Sequence, residues 1–201
     1  MEKPAFWNHN AAYYPWIRRQ LDRKGARSVL DVGCGEGSLA RFLAAPGREV
    51  LGVDPSGEAT ARARKQTGEG KSVRFLQVPF EGFDAPPESM DAVVFAASLH
   101  HMDGEPAVQK AKKLLKPGGQ LLIVGLAAPS GPGDWTLEAL RVIPAKLGTA
   151  LHRARSSEEL GLAVNYALPK MAEVRAMIRR ELPGAKLRSG LYYRWLLHWT
   201  K

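Results

Sequence analysis

The feature that most constrains this chain is a regular alternation between short apolar runs and stretches of helical periodicity. Apolar runs of β type recur between residues 28 and 125, and helical patterns separate them. This alternation predicts βαβ units with right-handed crossovers, and therefore a parallel sheet with helices on both faces. The predicted strands are Ser28–Val32, Glu49–Val53, Ser72–Val78, Asp91–Ala97 and Gln120–Gly125.

The helices and the C-terminal part of the chain follow ordinary start and stop signals. Helices are predicted over about Gly57–Thr67 and over Glu105–Lys116, the latter ended by Pro117-Gly118-Gly119. After residues 126–169 break the rhythm, a helix over Met171–Leu182 is expected. It leads to two aromatic-rich runs so close together that they predict an antiparallel strand pair: Lys186–Tyr192 and Arg194–Trp199.

Composition excludes several classes of function. A single cysteine among 201 residues excludes an intramolecular disulfide, CxxC redox chemistry and a cysteine zinc site. The N-terminal segment lacks an apolar core of signal-peptide length, and no run reaches about 18 apolar residues. We therefore expect a soluble protein in a reducing, cytoplasmic compartment.

The charge is strongly basic and unevenly placed. The net charge is +9: residues 1–125 hold 17 Lys+Arg and 14 Asp+Glu, and residues 126–201 hold 12 and 6. A basic excess can favour nucleic acid, an anionic membrane or an acidic substrate. It is equally common on a solvated surface, and we prefer that interpretation because no Lys/Arg block of binding-arm length is present.

A glycine loop and a following acid predict a nucleoside site. The loop Asp31–Gly37 (DVGCGEG) lies between the first strand and the first helix, where glycines let a ligand touch the backbone. Asp54 closes the second strand, 21 residues after Gly33. A carboxylate there can accept hydrogen bonds from both ribose hydroxyls. The site is therefore expected at the carboxyl ends of the parallel strands.

The acids beside the loop indicate which ligand fits. The loop is not the GxGxxG of dinucleotide sites, and the chain has no GxxxxGK[ST] phosphate loop. Asp31 and Glu36 would repel a diphosphate. They suit a ligand that carries an ammonium group and no phosphate.

Four segments, in order, resemble the successive motifs of class I S-adenosylmethionine-dependent methyltransferases. They are VLDVGCGEG (Val29–Gly37), GVDPS (Gly52–Ser56), MDAVVFAASLHHM (Met90–Met102) and LLKPGGQLLIV (Leu114–Val124). The resemblance covers about residues 27–125. The terminal segments also resemble small bacterial members of this family, whose substrates are mostly unassigned.

The resemblance implies a fold and a division of the chain. The fold class is α/β: a Rossmann-like, doubly wound, seven-stranded sheet, mostly parallel, with a C-terminal antiparallel strand inserted between strands five and six. A single domain is expected, with a cap or lid over residues 1–27 and a cofactor-binding core over 28–125. An acceptor-cap insertion over 126–169 and the final helix and strand hairpin over 170–201 complete it.

The resemblance also implies a cofactor and its contacts. S-adenosyl-L-methionine is the expected methyl donor, S-adenosyl-L-homocysteine the product, and no metal is expected. Gly33, Cys34 and Gly35 would present backbone to the methionine part, with Asp31 under its amino group. Asp54 would take the ribose hydroxyls. We expect the Cys34 side chain to be a small filler that faces the core.

The adenine side departs from the family pattern. Where the family often has an aspartate after strand three, this chain has Val78-Pro79-Phe80. Adenine recognition then falls to backbone atoms, to packing by Phe80, or to Glu81. The remaining cofactor contacts implied by the resemblance are Pro55 and Pro79 at the adenine, Ala97 and Ser98 at the sulfonium, and Tyr14 over the cofactor.

The acceptor side offers candidate catalytic and substrate-binding residues. His100 and His101 follow strand four, where one could deprotonate or orient the acceptor. They could instead anchor the loop or cap the next helix. Trp7 and Tyr13 are candidate lid residues because aromatic faces attract cations and exclude water, or they are simply the lead-in to a helix beginning near Trp16. Trp135 is the substrate-binding candidate in the insertion.

Three functions remain open from sequence. The favoured one is methyl transfer to a small molecule, on oxygen first and on nitrogen or carbon as alternatives. The second is methylation of RNA or protein, and the third is a non-catalytic binder that kept the cofactor fold. The basic insertion also fits an anionic acceptor or docking at a membrane surface. The oligomeric state stays open.

Overall fold

The computed structural model describes residues 10–68, 72–130, 168–190 and 194–201. Its strands form one sheet in the order β3-β2-β1-β4-β5-β7-β6. Their bounds are β1 Ser28–Val32, β2 Glu49–Asp54, β3 Val73–Gln77, β4 Met90–Ala96, β5 Leu115–Leu126, β6 Lys186–Ser189 and β7 Arg194–Thr200.

The helices have recognisable local causes. Pro15 lies in the first turn of the N-terminal helix, and Gly25, at φ 62°, ends it in the left-handed conformation. Ser56 caps another helix, since its Oγ accepts a hydrogen bond from the Ala59 N–H at 3.2 Å. The helices are α1 Tyr14–Lys24, α2 Ser38–Leu43, α3 Gly57–Thr67, α4 Gly104–Leu114 and α5 Met171–Glu181, with short 3₁₀ turns at Ala11–Tyr13, Phe80–Gly82 and Leu99–His101.

The topology confirms the predicted fold class. Strands β3, β2, β1, β4 and β5 are parallel neighbours, as right-handed crossovers require. Strand β7 runs antiparallel to both β5 and β6 and lies between them. The last strand along the chain is therefore inserted between the fifth and sixth.

Alternate residues of the central strands supply two cores. Leu30 and Val32 of β1 pack with α4 and α5 on one face. Val29 of the same strand packs with α1, α2 and α3 on the other. Because successive side chains of a strand point to opposite faces, apolar strands such as β4 are buried on both sides. The loops at the strand ends are thus held by a rigid sheet.

One predicted boundary was wrong. The helix expected over Glu105–Lys116 ends at Leu114, and Leu115 already belongs to β5. Leu115 is fully buried and pairs with Met90, while Lys116 Nζ donates to Asp91 Oδ1 at 2.7 Å. Tertiary contacts to β4 therefore end the helix before the Pro-Gly-Gly signal.

Candidate active site

Loops that follow β1, β2 and β4 meet at the carboxyl ends of these strands, the place where open α/β sheets bind ligands, and this region is called the crevice here. The first loop carries Gly33, Gly35 and Gly37 at φ of 69°, 52° and 76°, a region that favours glycine. The Gly33 N–H donates to the Val53 carbonyl at 2.8 Å. A Cβ added to Gly33 would lie 2.4 Å from Ser98 Cβ, so dihedral and space both require glycine there.

Asp54 is held in place by backbone donors. Its Oδ2 accepts from the Gly35 N–H at 2.8 Å, and its Oδ1 accepts from the Ser56 N–H at 2.9 Å. A carboxylate oxygen has two lone pairs, so each oxygen keeps one for another donor. The carboxylate thus offers two acceptor positions side by side.

Asp31 is buried beside this carboxylate. It is 1% exposed, and its Oδ2 has no hydrogen-bond partner among the described residues. Burial, and then the charge of Asp54, raise the pKa of Asp31 to about 7, against a smaller opposing effect of the Ala40 backbone amide. Burial, followed by the charges of Asp31 and Glu36, also raises the pKa of Tyr14. Arg41 opposes the shift of Tyr14, but burial and the acidic neighbours outweigh it.

The other residues of the first and third loops are packed tightly. Cys34 is buried, and a Cβ on Gly52 would lie 2.8 Å from its Sγ. Burial raises the pKa of this thiol, which makes it a filler rather than a nucleophile. Ser98 Oγ donates to the Val32 carbonyl at 2.5 Å. Ala97 has φ of 59°, a left-handed conformation that costs about 1 kcal/mol for alanine.

The adenine side divides into exposed and buried groups. Pro55, Pro79 and Glu81 are exposed. Phe80 is 3% exposed, and its ring packs edge-to-face on Phe95 at a centroid distance of 5.5 Å. The adenine contact of Phe80 stays a prediction, and its ring serves the core of the sheet.

The two candidate histidines stack on each other and face different neighbours. Their ring centroids are 4.1 Å apart. Burial, followed by the charges of His101 and Arg194, lowers the pKa of His100 to about 4. Burial also lowers the pKa of His101, with an opposing effect from Asp54. His101 is thus electrostatically coupled to Asp54, and His100 to Arg194 of β7.

Sequence reasoning missed Arg194 and Asn10. Arg194 is the first residue of β7 and lies opposite Leu126, at the end of β5. Its Nε and Nη2 donate to Asn10 Oδ1 at 2.9 and 2.5 Å. An antiparallel strand beside β5 must begin where β5 ends, and that signal could have placed Arg194 at the crevice. Tyr13 lies near the same edge, where its hydroxyl would be 2.5 Å from a Cβ on Gly190.

Two substrate-binding candidates, Trp7 and Trp135, lie outside the described residues, as do residues 131–167 of the predicted insertion. Within the described part of the chain, no cluster of His, Cys, Asp and Glu side chains could hold a metal ion. None of the helices described there is long and apolar enough to cross a membrane.

Comparison with known proteins agrees with this geometry. The family profile described as "Methyltransferase domain" matches residues 30–123. An uncharacterised methyltransferase of Mycobacterium tuberculosis (strain ATCC 25618 / H37Rv) is 33% identical over 202 aligned positions, which cover 99% of this chain and 98% of the relative. The chain belongs to the class I S-adenosylmethionine-dependent methyltransferase family.

One further relative and one solved structure are similar to this methyltransferase. The demethylmenaquinone methyltransferase of Thermus thermophilus is 36% identical over 122 residues, covering 57% of this chain and 55% of that protein. The crystal structure of the 1,6-didemethyltoxoflavin-N1-methyltransferase of Burkholderia thailandensis, with 1,6-didemethyltoxoflavin and S-adenosylhomocysteine bound, superposes with a TM-score of 0.62. It is 20% identical and covers 96% of this chain and 79% of its own. At that identity the superposition supports the fold.

Proposed function

We propose that this methyltransferase moves the methyl group of S-adenosylmethionine to a small-molecule acceptor. The observation that carries the proposal is the pair of open acceptor positions on Asp54, beside a glycine loop and a buried carboxylate. Two vicinal ribose hydroxyls match the two positions on Asp54. The donor ammonium matches the Asp31 oxygen that has no hydrogen-bond partner among the described residues. The residues present therefore fit the cofactor of the family.

The donor half of the crevice would bind S-adenosylmethionine and orient its methyl group. When bound, the sulfonium supplies an already activated methyl group, so the protein provides position and exclusion of water. The backbone at Gly33 and Gly35 allows close approach because no Cβ stands in the way. Asp31 is ionised only in part near neutral pH, and an adjacent ammonium would lower its pKa and hold it as a carboxylate.

The acceptor half contains a neutral base and a guanidinium. The lowered pKa keeps His100 uncharged near pH 7, so it would accept a hydrogen bond from an acceptor hydroxyl and orient it, although a pKa of about 4 makes it a weak base. Arg194 lies close enough to lower that pKa and would orient an electron-rich acceptor. This arrangement favours O-methylation, with nitrogen and carbon as alternatives. The names of the demethylmenaquinone and didemethyltoxoflavin enzymes support a small-molecule acceptor.

Asp54→Ala tests the donor site. The change removes both ribose acceptors, so we expect no measurable S-adenosylmethionine binding by calorimetry in a protein that still unfolds cooperatively. Asp84→Ala is the matched control, because Asp84 is an exposed carboxylate in a loop outside the crevice. An unchanged dissociation constant in Asp54→Ala would show the ribose assignment to be wrong.

Paired histidine variants test the acceptor half. We expect His100→Ala to lower kcat by about 10²-fold with little change in donor affinity, because His100 would act on the acceptor proton. His101→Ala should mainly weaken donor affinity, since His101 is coupled to Asp54. Steady-state kinetics and donor titration separate the two outcomes. Equal and mild effects would assign both residues to loop structure.

A further inference from the structure

A cavity of about 210 Å³ lies between α1 and the β6–β7 hairpin. The helix side of the cavity is lined by Trp16, Gln20, Arg23 and Lys24. The last three follow Trp16 by four, seven and eight positions, so all four lie along one side of α1. Gln120 lies on its floor, toward the start of the run of β5 that pairs with β4. The cavity is thus at the opposite end of β5 from the crevice.

The β6–β7 hairpin contributes two more cations to the cavity, because side chains two residues apart on a strand point to the same face. Lys186 pairs with His198, and Arg188 pairs with Leu196, so these four side chains share one face of the hairpin. With Arg23 and Lys24 opposite, four positive charges line the cavity, and no carboxylate of the described part of the chain does.

These cations are not neutralised by neighbours. Arg23, Lys24, Lys186 and Arg188 make no ion pair with any of the described residues, 10–68, 72–130, 168–190 and 194–201. Elsewhere on the same surface cations do meet carboxylates, as Lys116 meets Asp91 at 2.7 Å. All four cations are solvent-exposed, so water screens their mutual repulsion, and a bound anion would reduce it further.

The floor of the cavity contains an oriented histidine. Gln120 is 1% exposed, and its Nε2 donates to the Gln20 carbonyl at 3.4 Å. Its Oε1 therefore faces His198 Nε2, 3.0 Å away, which makes that nitrogen the donor and leaves Nδ1 as the atom that gains a proton. Burial, followed by Lys186, Lys24 and Arg188, lowers the pKa of His198. A bound anion would oppose the effect of these charges.

We propose that this cavity binds a tetrahedral dianion of the phosphate type, free or at the end of a small organic molecule. A cavity of this volume suits a small group rather than a macromolecular surface. The charged side chains supply charge-assisted donors, while Trp16 and Leu196 supply an apolar wall. This site is independent of the methyl-transfer proposal.

Sulfate is the first probe, because its charge is constant between about pH 5.5 and about pH 7.5, where histidine titrates. At constant ionic strength, we expect saturable binding that raises the pKa of His198, followed by NMR of its imidazole. Binding should be tighter at the lower pH, and His198→Gln should remove that pH dependence. Binding that does not saturate, or that chloride reproduces, would overturn the proposal.

Surface variants provide the matched comparison. Lys186→Ser with Arg188→Ser should weaken sulfate binding by at least about tenfold, since two of the four cations are lost. Lys113→Ser, an exposed cation of α4 outside the cavity, should leave it unchanged. Equal weakening by the control would mean diffuse surface charge and would refute a site.

Two further ligands distinguish the sources of the dianion. Phenyl phosphate should bind more tightly than inorganic phosphate if the occupant is an organic phosphate, because its ring can pack on Trp16. Equal affinity identifies free phosphate as the occupant. An oligoribonucleotide without terminal phosphates that binds more tightly than both would replace this proposal with a nucleic-acid surface.

Discussion

Two aspartates lie on the neighbouring strands β1 and β4, one at the carboxyl end and one at the amino end of the strands, and they have opposite environments. Asp91, at the amino end of β4, accepts hydrogen bonds from the Arg27 N–H, the Ser28 N–H and Lys116 Nζ at 2.7–2.8 Å. Asp31, at the carboxyl end of β1, keeps one buried oxygen with no hydrogen-bond partner among the described residues. The same side chain is thus satisfied at one edge and left open at the other.

The electrostatic consequences have opposite signs. Partial burial opposes ionisation of Asp91, but the hydrogen bonds from Lys116, Ser28 and Arg27 outweigh it and lower its pKa to about 2. Burial and the nearby Asp54 raise the pKa of Asp31 to about 7. The comparison teaches that ionisation of Asp91 is favoured by its surroundings, whereas ionisation of Asp31 is opposed by them, as is common at functional sites.

The largest expected effect is on ligand affinity, which substitutions of Asp31 and of Asp91 should change differently. Asp31→Asn keeps the shape but removes the charge at the proposed position of the donor ammonium, so S-adenosylmethionine affinity should fall by about 10–100-fold, ~1.5–3 kcal/mol. Asp91→Asn should leave that affinity unchanged. Calorimetric titration of both variants measures the difference, and equal losses would break the comparison.

The next effect separates them by stability. Asp91→Asn weakens three hydrogen bonds to a carboxylate, and we expect the free energy of unfolding at neutral pH to fall by about 2 kcal/mol. Denaturant unfolding of wild type, Asp91→Asn and Asp31→Asn measures it. If Asp31→Asn were the more destabilised variant at about pH 8, the carboxyl edge would be structural after all.

The smallest effect is a pH dependence. Because the folded pKa of Asp31 lies above its usual value of 3.8, the folded protein binds more protons than the unfolded chain between about pH 4 and about pH 7. Its contribution to wild-type stability is therefore full below about pH 4 and is lost as the pH rises through about 7. Asp31→Asn lacks this loss, so its relative stability should rise by ~1–2 kcal/mol from about pH 4 to about pH 8.

Asp91 provides a second test in the same experiment, because its contribution to stability changes with pH in the opposite direction. Its folded pKa is depressed, so its stabilisation is present above about pH 4 and is lost as the pH falls toward about 2. Melting curves across the full range should show both windows in the wild type. A profile for Asp31→Asn parallel to that of the wild type between about pH 4 and about pH 8 would contradict the raised pKa.

Much of the fold was predictable because its signals are local. Apolar runs and glycine or proline boundaries placed all the described strands within a few residues, with the exception of the start of β5. There, burial of Leu115 and the Lys116–Asp91 contact override the helical pattern. Periodicity along one segment contains no information about such a distant partner.

The candidate site was predictable to about the same extent as the fold. The glycine loop and Asp54 meet because parallel strands bring their carboxyl ends together. The burial of the Phe80 ring was not expected, since a local pattern does not say which way an aromatic side chain points. Arg194 and Asn10 are 184 positions apart in the chain, and only the insertion of β7 beside β5 brings that pair to the crevice.

The two backbone donors that hold Asp54 have a kinetic consequence. The Gly35 and Ser56 amides fix the carboxylate without any ligand, so its orientation for the proposed nucleoside is preorganised by the chain itself. Little rotamer freedom remains for the ligand to freeze at that position. Association at the ribose end should therefore be governed by diffusional encounter, and differences among nucleoside analogues should appear mainly in how slowly they leave.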